Sequence, residues 1–145
     1  MSAAIFHLAF PVADIPTTKR FYAEGLGCAI GRETPSAVIM NLSGHQLVAH
    51  VTRQPLQPQN SIYPRHFGLV FEEFADWEVL RDRVTARNLS FYQAPKLRFP
   101  DLITEHHTFF LADPFHNLLE FKFYVHPEAI FGAVDVGAVG DRVSR

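Results

Sequence analysis

The sequence predicts an α+β domain built from two successive βαβββ modules. Two observations support this fold class. The same order of apolar strand, amphipathic helix and three further strands occurs twice, and a polar, proline-containing stretch at residues 53–63 separates the two copies. A chain of 145 residues, 48% of them hydrophobic, is long enough to bury the core of one such domain. We therefore expect one domain over residues 1–145, with module one at about 5–52 and module two at about 64–125.

Module one begins with an apolar run at residues 5–12, whose β-branched and aromatic side chains predict a buried strand. Asp14 can cap the helix that follows, and Gly25 and Gly27 end that helix after about three turns. Turn signals divide the rest of the module into three strands, at residues 28–32, 37–42 and 46–51.

Module two repeats this order after the linker. Residues 65–71 predict its first strand, and Phe74, Trp77, Leu80 and Val84 lie on one face of the helix that follows. The remaining strands are expected at residues 90–97, 105–111 and 117–125. The tail at residues 126–145 contains scattered Gly, Val and Ala, and is either a frayed end or an arm that packs on a partner subunit.

Charge and cysteine content exclude several classes of function. The net charge of −2 and the scattered Lys and Arg provide no basic surface for nucleic acid or for a membrane. The N-terminus has no charged leader before an apolar run, so we expect a cytoplasmic protein. Cys28 is the single cysteine, so a metal would have to be held by His, Asp or Glu, and the chain has eight His.

Glu120 is the first residue that needs a chemical explanation. In the last strand of module two, Leu119 and Phe121 face one side, whereas Glu120, Lys122 and Tyr124 face the other. A carboxylate in an apolar strand is expensive to bury unless it is paired or bound to a metal. Two partners are open: Lys122 beside it, or a metal shared with histidines.

His7 and His66 favour the metal. Each lies early in the first strand of its module, and a pseudo-twofold relation between the modules would bring both imidazoles to one open site. Two His and one carboxylate on one face of a metal leave coordination positions free, as in non-haem Fe(II) oxygenases. We therefore expect His7, His66 and Glu120 to be the metal ligands.

His50 shares a strand face with Gln46 and Val48, and we expect that face to point towards the metal. An imidazole there can be a proton shuttle or a fourth ligand, and a strand-end His that faces water is the remaining alternative. We expect the shuttle, because a fourth ligand would take a position that substrate or O₂ needs. His45 has the opposite parity, and His106, His107 and His116 lie near turns and are given no role.

Several segments together resemble one family. They are HLAFPVAD (7–14), RFY (20–22), LGC (26–28), GHQLVAH (44–50), HFG (66–68), FFLADP (109–114) and NLLEFK (117–122). They resemble the vicinal oxygen chelate superfamily of glyoxalases, bleomycin-resistance proteins and extradiol dioxygenases, and in particular its small extradiol-dioxygenase-like members. The resemblance spans about residues 5 to 125.

The resemblance implies an eight-stranded open cup around a divalent metal, usually in a homodimer. It places the extradiol ligands at His7, His66 and Glu120 and an acid/base His near His50. We expect the substrate to bind next to Lys122, Tyr124 and Phe110. Extradiol members carry a Tyr at the position of Phe110, where it hydrogen-bonds the substrate. Phe110 cannot donate that bond, so Tyr124 or His107 would have to replace it.

Three functions remain open at this point. The first is an Fe(II) extradiol-type dioxygenase acting on a small catecholic substrate. The second is an isomerase or transferase of the glyoxalase or fosfomycin-resistance kind, in which Mn, Ni or Zn acts as a Lewis acid. The third is a metal-free protein that binds a small aromatic ligand in the cup.

Overall fold

The computed structural model describes residues 2–143, which form two open four-stranded sheets, one in each module. Module one consists of β1 (His7–Val12), α1 (Ile15–Lys19), a π-helical continuation (Arg20–Gly25), β2 (Ala29–Thr34), β3 (Ala37–Leu42) and β4 (His45–Val51). Module two consists of β5 (Phe67–Phe71), α2 (Phe74–Ala86), β6 (Phe91–Arg98), β7 (His106–Ala112) and β8 (Leu118–Tyr124). The predicted α+β fold of two βαβββ modules is confirmed.

The two sheets have the same topology. Their strand orders are β1-β4-β3-β2 and β5-β8-β7-β6, so the first strand of each module pairs in parallel with the last. The other neighbours are antiparallel. The modules are therefore structural repeats, although their sequences share few identities.

One face of each sheet is covered by the helices and forms a common core. Phe10 and Val12 of β1 belong to the same buried cluster as Trp77 of α2 and Phe121 of β8. The indole of Trp77 donates a hydrogen bond of 2.8 Å to the carbonyl oxygen of Phe121, which fixes α2 on its sheet. Because strand side chains alternate, the residues between these core residues point to the opposite face of each sheet. We call it the cup face.

The first helix differs from the expected three turns of α-helix. Asp14 caps it as predicted, with its carboxylate accepting from the Thr17 amide at 2.7 Å. After five residues the helix continues as a π-helix, and the Leu26 amide bonds to the Phe21 carbonyl, five residues earlier, at 2.9 Å. In this wider turn, both Phe21 and Tyr22 are buried in the core.

The described part of the C-terminal tail folds back onto module two. It contains a short 3₁₀-helix (Pro127–Ala129) and a small hairpin of β9 (Ala138–Val139) and β10 (Arg142–Val143). Asp141, in the turn of this hairpin, contacts Tyr63 and Arg98 of the same chain. This intramolecular packing was not among the two arrangements expected from the sequence. No helix within residues 2–143 is long and apolar enough to cross a membrane.

Candidate metal centre

A histidine and a carboxylate meet on the cup face of module two. Glu120 lies in β8, between Gly68 of β5 and Phe110 of β7, and is 8% exposed. Its Oε1 atom is 3.2 Å from Nε2 of His66, and its Oε2 atom accepts a hydrogen bond of 2.7 Å from the Thr108 hydroxyl. The carboxylate that strand parity identified is thus buried and paired.

Close approach of two strands positions this pair. Gly68 of β5 is directly opposite Glu120, and a Cβ atom at Gly68 would overlap the Glu120 carbonyl oxygen. His66, just before β5, donates from Nδ1 to the Ile62 carbonyl at 2.8 Å. Its ring also packs edge-on against Phe110, with the ring centroids 5.2 Å apart. The imidazole is therefore fixed in orientation with Nε2 directed at Glu120.

The electrostatics keep Glu120 ionised. Burial raises the pKa of Glu120, but the hydrogen bond from His66, the positive charge of Lys122 and the Thr108 hydroxyl together lower that pKa to about 2. The hydrogen bond to Glu120 raises the pKa of His66, and burial opposes it. In the absence of a metal, the two side chains therefore stabilise each other as an ion pair.

His7, like His66, forms a hydrogen bond through Nδ1, but it lies on the sheet of module one. It is exposed on the cup face of module one, and its Nδ1 atom donates to the Gln46 side-chain oxygen at 2.7 Å. A histidine that donates from Nδ1 presents the lone pair of Nε2, which is how metal-bound histidines are commonly oriented. His7 and His66 are therefore both prepared to bind through Nε2.

The donor atoms suit a metal, but one chain does not bring all three together. Two ligand atoms at right angles, each about 2.1 Å from a metal, are about 3.0 Å apart, close to the 3.2 Å between His66 and Glu120. Within residues 2–143, no three His, Cys, Asp or Glu side chains are grouped so that they could hold a metal ion. The chain joins His66 to Glu120 and leaves His7 apart.

The register shows which residues correspond between the modules. Ala9 is opposite Val48 in module one, as Gly68 is opposite Glu120 in module two. When His7 is matched with His66, Val48 therefore has the place of Glu120. Module one therefore has a single candidate metal ligand at these positions, because valine cannot coordinate.

His50 lies on the cup face, as its parity predicted, and corresponds to Lys122 of module two. His50 is exposed and lies opposite Pro11, whereas Gln46 lies opposite His7. Because His7 and Pro11 are four residues apart in β1, His50 is about 13 Å along the strands from His7. Its role as a shuttle or ligand therefore depends on what the cup face of module one meets, and stays a prediction.

The three residues expected to contact substrate all surround Glu120 on the cup face. Lys122 places its ammonium 3.7 Å from Glu120 Oε1 and 5.1 Å from the centre of the Tyr124 ring. Phe110 is directly opposite Glu120 in β7 and is almost fully buried. The suggestion that His107 could replace the missing tyrosine hydroxyl was wrong, because His107 faces the core, with its ring 5.4 Å from that of Trp77.

Sequence reasoning missed three polar neighbours. Thr108 orients Glu120, and Gln46 orients His7. His106 was given no role, although it is buried on the cup face with its ring 5.1 Å from that of Tyr124. Burial lowers the pKa of His106. Strand parity could have identified His106 and Thr108, because they share one face of β7 with Phe110. Gln46 was already on the face assigned to His50.

Two βαβββ modules with a His paired to a buried Glu on a cup face are typical of a protein of the vicinal oxygen chelate class. Residues 4–121 match the model of the Glyoxalase/Bleomycin resistance protein/Dioxygenase superfamily, and the chain belongs to that family. No protein among the curated sequences matches the chain.

Solved structures agree with this assignment. A glyoxalase/bleomycin resistance protein/dioxygenase from Alicyclobacillus acidocaldarius is 38% identical, with a TM-score of 0.83 over 88% of this chain and 96% of that chain. The fosfomycin resistance protein FosX from Listeria monocytogenes is 14% identical, with a TM-score of 0.67 over 89% of this chain and 99% of that one. A lactoylglutathione lyase from Agrobacterium tumefaciens is 18% identical, with a TM-score of 0.63 over 84% and 94%. The last two share the fold.

Proposed function

We propose that this protein is a metal-dependent enzyme that works as a homodimer on a small substrate with two adjacent oxygens. The metal is held by His66 and Glu120 of one subunit and by His7 of the partner subunit. The observation that carries the proposal is the paired and oriented His66 and Glu120, which need one more ligand. His7 is exposed and oriented as a ligand, and within residues 2–143 it is not grouped with two other His, Cys, Asp or Glu side chains.

The surroundings of His7 support a second copy as the source of the third ligand. Ile5 and Phe6, which precede His7, are both largely exposed. Apolar side chains of this size at the end of an edge strand favour a protein contact. The tail lies over the Lys122–Tyr124 end of the module-two cup face, so a twofold axis would place the cup face of module one against the His66 end of that face in the other subunit, and would do so twice.

A bound divalent metal supplies Lewis acidity and open coordination positions; we propose Fe(II), with Mn, Ni and Zn as alternatives. The chain's own groups have separate roles. Thr108 and Ile62 hold Glu120 and His66 in place, and Lys122 supplies a positive charge beside the substrate oxygens. His50 of the partner subunit is the candidate proton shuttle. Its position in module one corresponds to that of Lys122 in module two, and it lies about 7 Å along β4 from Val48, the residue that corresponds to Glu120.

Extradiol-type cleavage of a small catechol with O₂ is the first reaction proposed, because three protein ligands leave positions for two substrate oxygens and O₂. A second reaction has one specific observation in its favour. The phenyl ring of Phe110 packs against His66 where extradiol relatives have a hydroxyl. An apolar group there suits a Lewis-acid isomerase or transferase, which needs no donor at that position.

Subunit complementation tests the shared site. His7→Ala and His66→Ala are each expected to lose most of the bound metal when purified alone. A heterodimer of the two variants regenerates one complete site from His7 of one chain and His66 with Glu120 of the other, so about half a metal per chain should return. His45→Ala is the matched control. No recovery in a heterodimer proven by mass spectrometry would contradict the shared site.

Reaction class is tested on anaerobically purified protein with measured metal content. O₂ uptake with a panel of catechols supports the dioxygenase. Turnover of 2-oxoaldehyde adducts or an epoxide under argon supports the Lewis-acid enzyme. Tight binding of an aromatic ligand by a protein that takes up none of the four metals would replace both with a metal-free binding protein.

A further inference from the structure

A cavity of about 410 Å³ lies between the cup face of module two and the C-terminal tail. Its floor is formed by side chains of the sheet and the loop that follows β6, and its roof by the tail after the 3₁₀-helix. The residues that decide its chemistry are Phe99, Leu102, His106, Lys122, Tyr124 and Ile130. Lys122, which lines the cavity, places its ammonium 3.7 Å from Oε1 of Glu120 and so connects the cavity to the His66–Glu120 pair.

The tail is held over this cavity by a defined set of contacts. The Tyr63 hydroxyl donates to the Asp141 carboxylate at 3.1 Å and accepts from the Asp141 amide at 2.9 Å. Arg98 forms an ion pair with the other carboxylate oxygen of Asp141. Gly140 has a φ of +60°, and a Cβ atom there would be 2.5 Å from the Tyr63 hydroxyl, so the turn fits closely on Tyr63. The roof is therefore part of the folded structure.

The lining has one Lys and one His and is otherwise mostly apolar. Of the described residues that line the cavity, Lys122 is the one Lys or Arg, His106 is the one His, and none is a carboxylate. The Lys122 ammonium is 3.7 Å from the Glu120 carboxylate, whereas His66 and the Thr108 hydroxyl contact that carboxylate at the shorter distances of 3.2 and 2.7 Å. An ammonium has three N–H donors, so Lys122 can also donate a hydrogen bond to an anion in the cavity.

We propose that the tail and the cup face of module two enclose a binding site for a small apolar organic anion. Its carboxylate or phenolate oxygen pairs with Lys122, and its apolar body lies under the tail between Phe99, Leu102 and Ile130. This inference deepens the proposed function, because it names the class of substrate that would reach the metal from this side. A cavity of this volume and lining is typical of small-molecule sites.

Binding of two matched probes to metal-free, chelator-treated protein tests the charge. Fluorine NMR would follow 4-fluorophenylacetate and its neutral analogue 2-(4-fluorophenyl)ethanol. We expect the anion to bind at least about 10-fold more tightly, which corresponds to one favourable charge contact. Lys122→Met should remove this preference, Lys122→Arg should retain it, and Lys19→Met, in an ion pair of module one, should leave it unchanged. Equal affinities for the two probes in the wild-type protein would overturn the assignment of Lys122.

A second pair of variants tests the roof. Asp141→Asn removes the ion pair with Arg98 and should weaken both probes severalfold. Asp135→Asn makes the same charge change at an exposed position of the tail and should weaken neither. Near-UV circular dichroism checks that all variants fold. Unchanged affinity in Asp141→Asn would show that the tail is not a wall of the site. Failure of metal binding with intact probe binding would refute the proposed function and leave this site standing; the converse result would refute this site alone.

Discussion

Modules one and two have the same strand order and register but different chemistry at equivalent positions. Three pairs of residues show the difference: Ala9 and Gly68, Val48 and Glu120, His50 and Lys122. In module two, the buried carboxylate is surrounded by an imidazole, a hydroxyl and an ammonium. In module one, the same place holds a valine that needs no partner. The comparison shows that one βαβββ frame can hold either a buried carboxylate with three polar neighbours or an apolar residue at the same place.

The cost of burying a charge explains why the two modules diverge. A buried carboxylate requires several hydrogen bonds or a metal, and each of those demands a particular neighbour. Module two supplies them through Thr108, through the His66 ring fixed by Ile62, and through Gly68, which lets the strands approach. Module one avoids these requirements, and its His7 lies on an exposed face.

The largest expected effect is on metal affinity. Glu120→Gln removes the carboxylate but keeps its shape, and should weaken binding at least about 1000-fold, because it deletes a charged ligand and leaves His66 without its partner. Glu72→Gln, an exposed position of the same module, is the control. Competition with a chromophoric chelator measures the affinity. Wild-type affinity in Glu120→Gln would remove module two from the metal site.

Stability provides a second test of the comparison. Gly68→Ala places a methyl group against the Glu120 carbonyl and should cost about 3 kcal/mol or more of the free energy of unfolding. At the equivalent place in module one, Ala9→Gly should cost about 0.5–1 kcal/mol, from backbone entropy alone. Urea unfolding measures both values. Equal costs would mean that the close approach of β5 and β8 is not a distinguishing feature of module two.

Much of this asymmetry could be predicted from the sequence. Strand parity placed Glu120, Lys122 and Tyr124 on one face and put His50 on the face of Gln46, and the repeated order of elements predicted both sheets. Parity cannot show which faces meet in space, so it could not reveal that His7 and His66 stay apart in one chain. It also gave no sign of the tail's position, because the Asp141 contacts join residues 43 and 78 positions apart.

The third prediction concerns His50 and the role of module one beyond a single ligand. If His50 of the partner subunit moves protons, His50→Ala should retain the metal and lower turnover by about 100-fold. His50→Gln keeps polarity without titrating near neutral pH and should be equally impaired. Metal content and single-turnover rate are measured on the same preparation. Loss of metal would identify His50 as a fourth ligand, and unchanged turnover would place it in solvent.

The smallest expected effect is the pH dependence of the metal-free protein. The pKa of Glu120 is lowered to about 2 from an ordinary 4.5, so its contribution to stability is complete above pH 4.5 and is lost as the pH falls towards 2. The pKa of His66 is raised above an ordinary 6.5, so its contribution is complete below pH 6.5 and is lost as the pH rises through the raised value. The pair should therefore stabilise the fold most between about pH 4.5 and 6.5, by about 1–2 kcal/mol, because desolvation offsets much of its attraction. Urea unfolding across this range should show the difference between wild type and Glu120→Gln narrowing at both ends, while Val48→Thr, at the equivalent place in module one, changes stability by the same amount at every pH. A constant difference for Glu120→Gln would mean that the His66–Glu120 ion pair contributes nothing to the fold, and the contrast between the modules would then rest on metal binding alone.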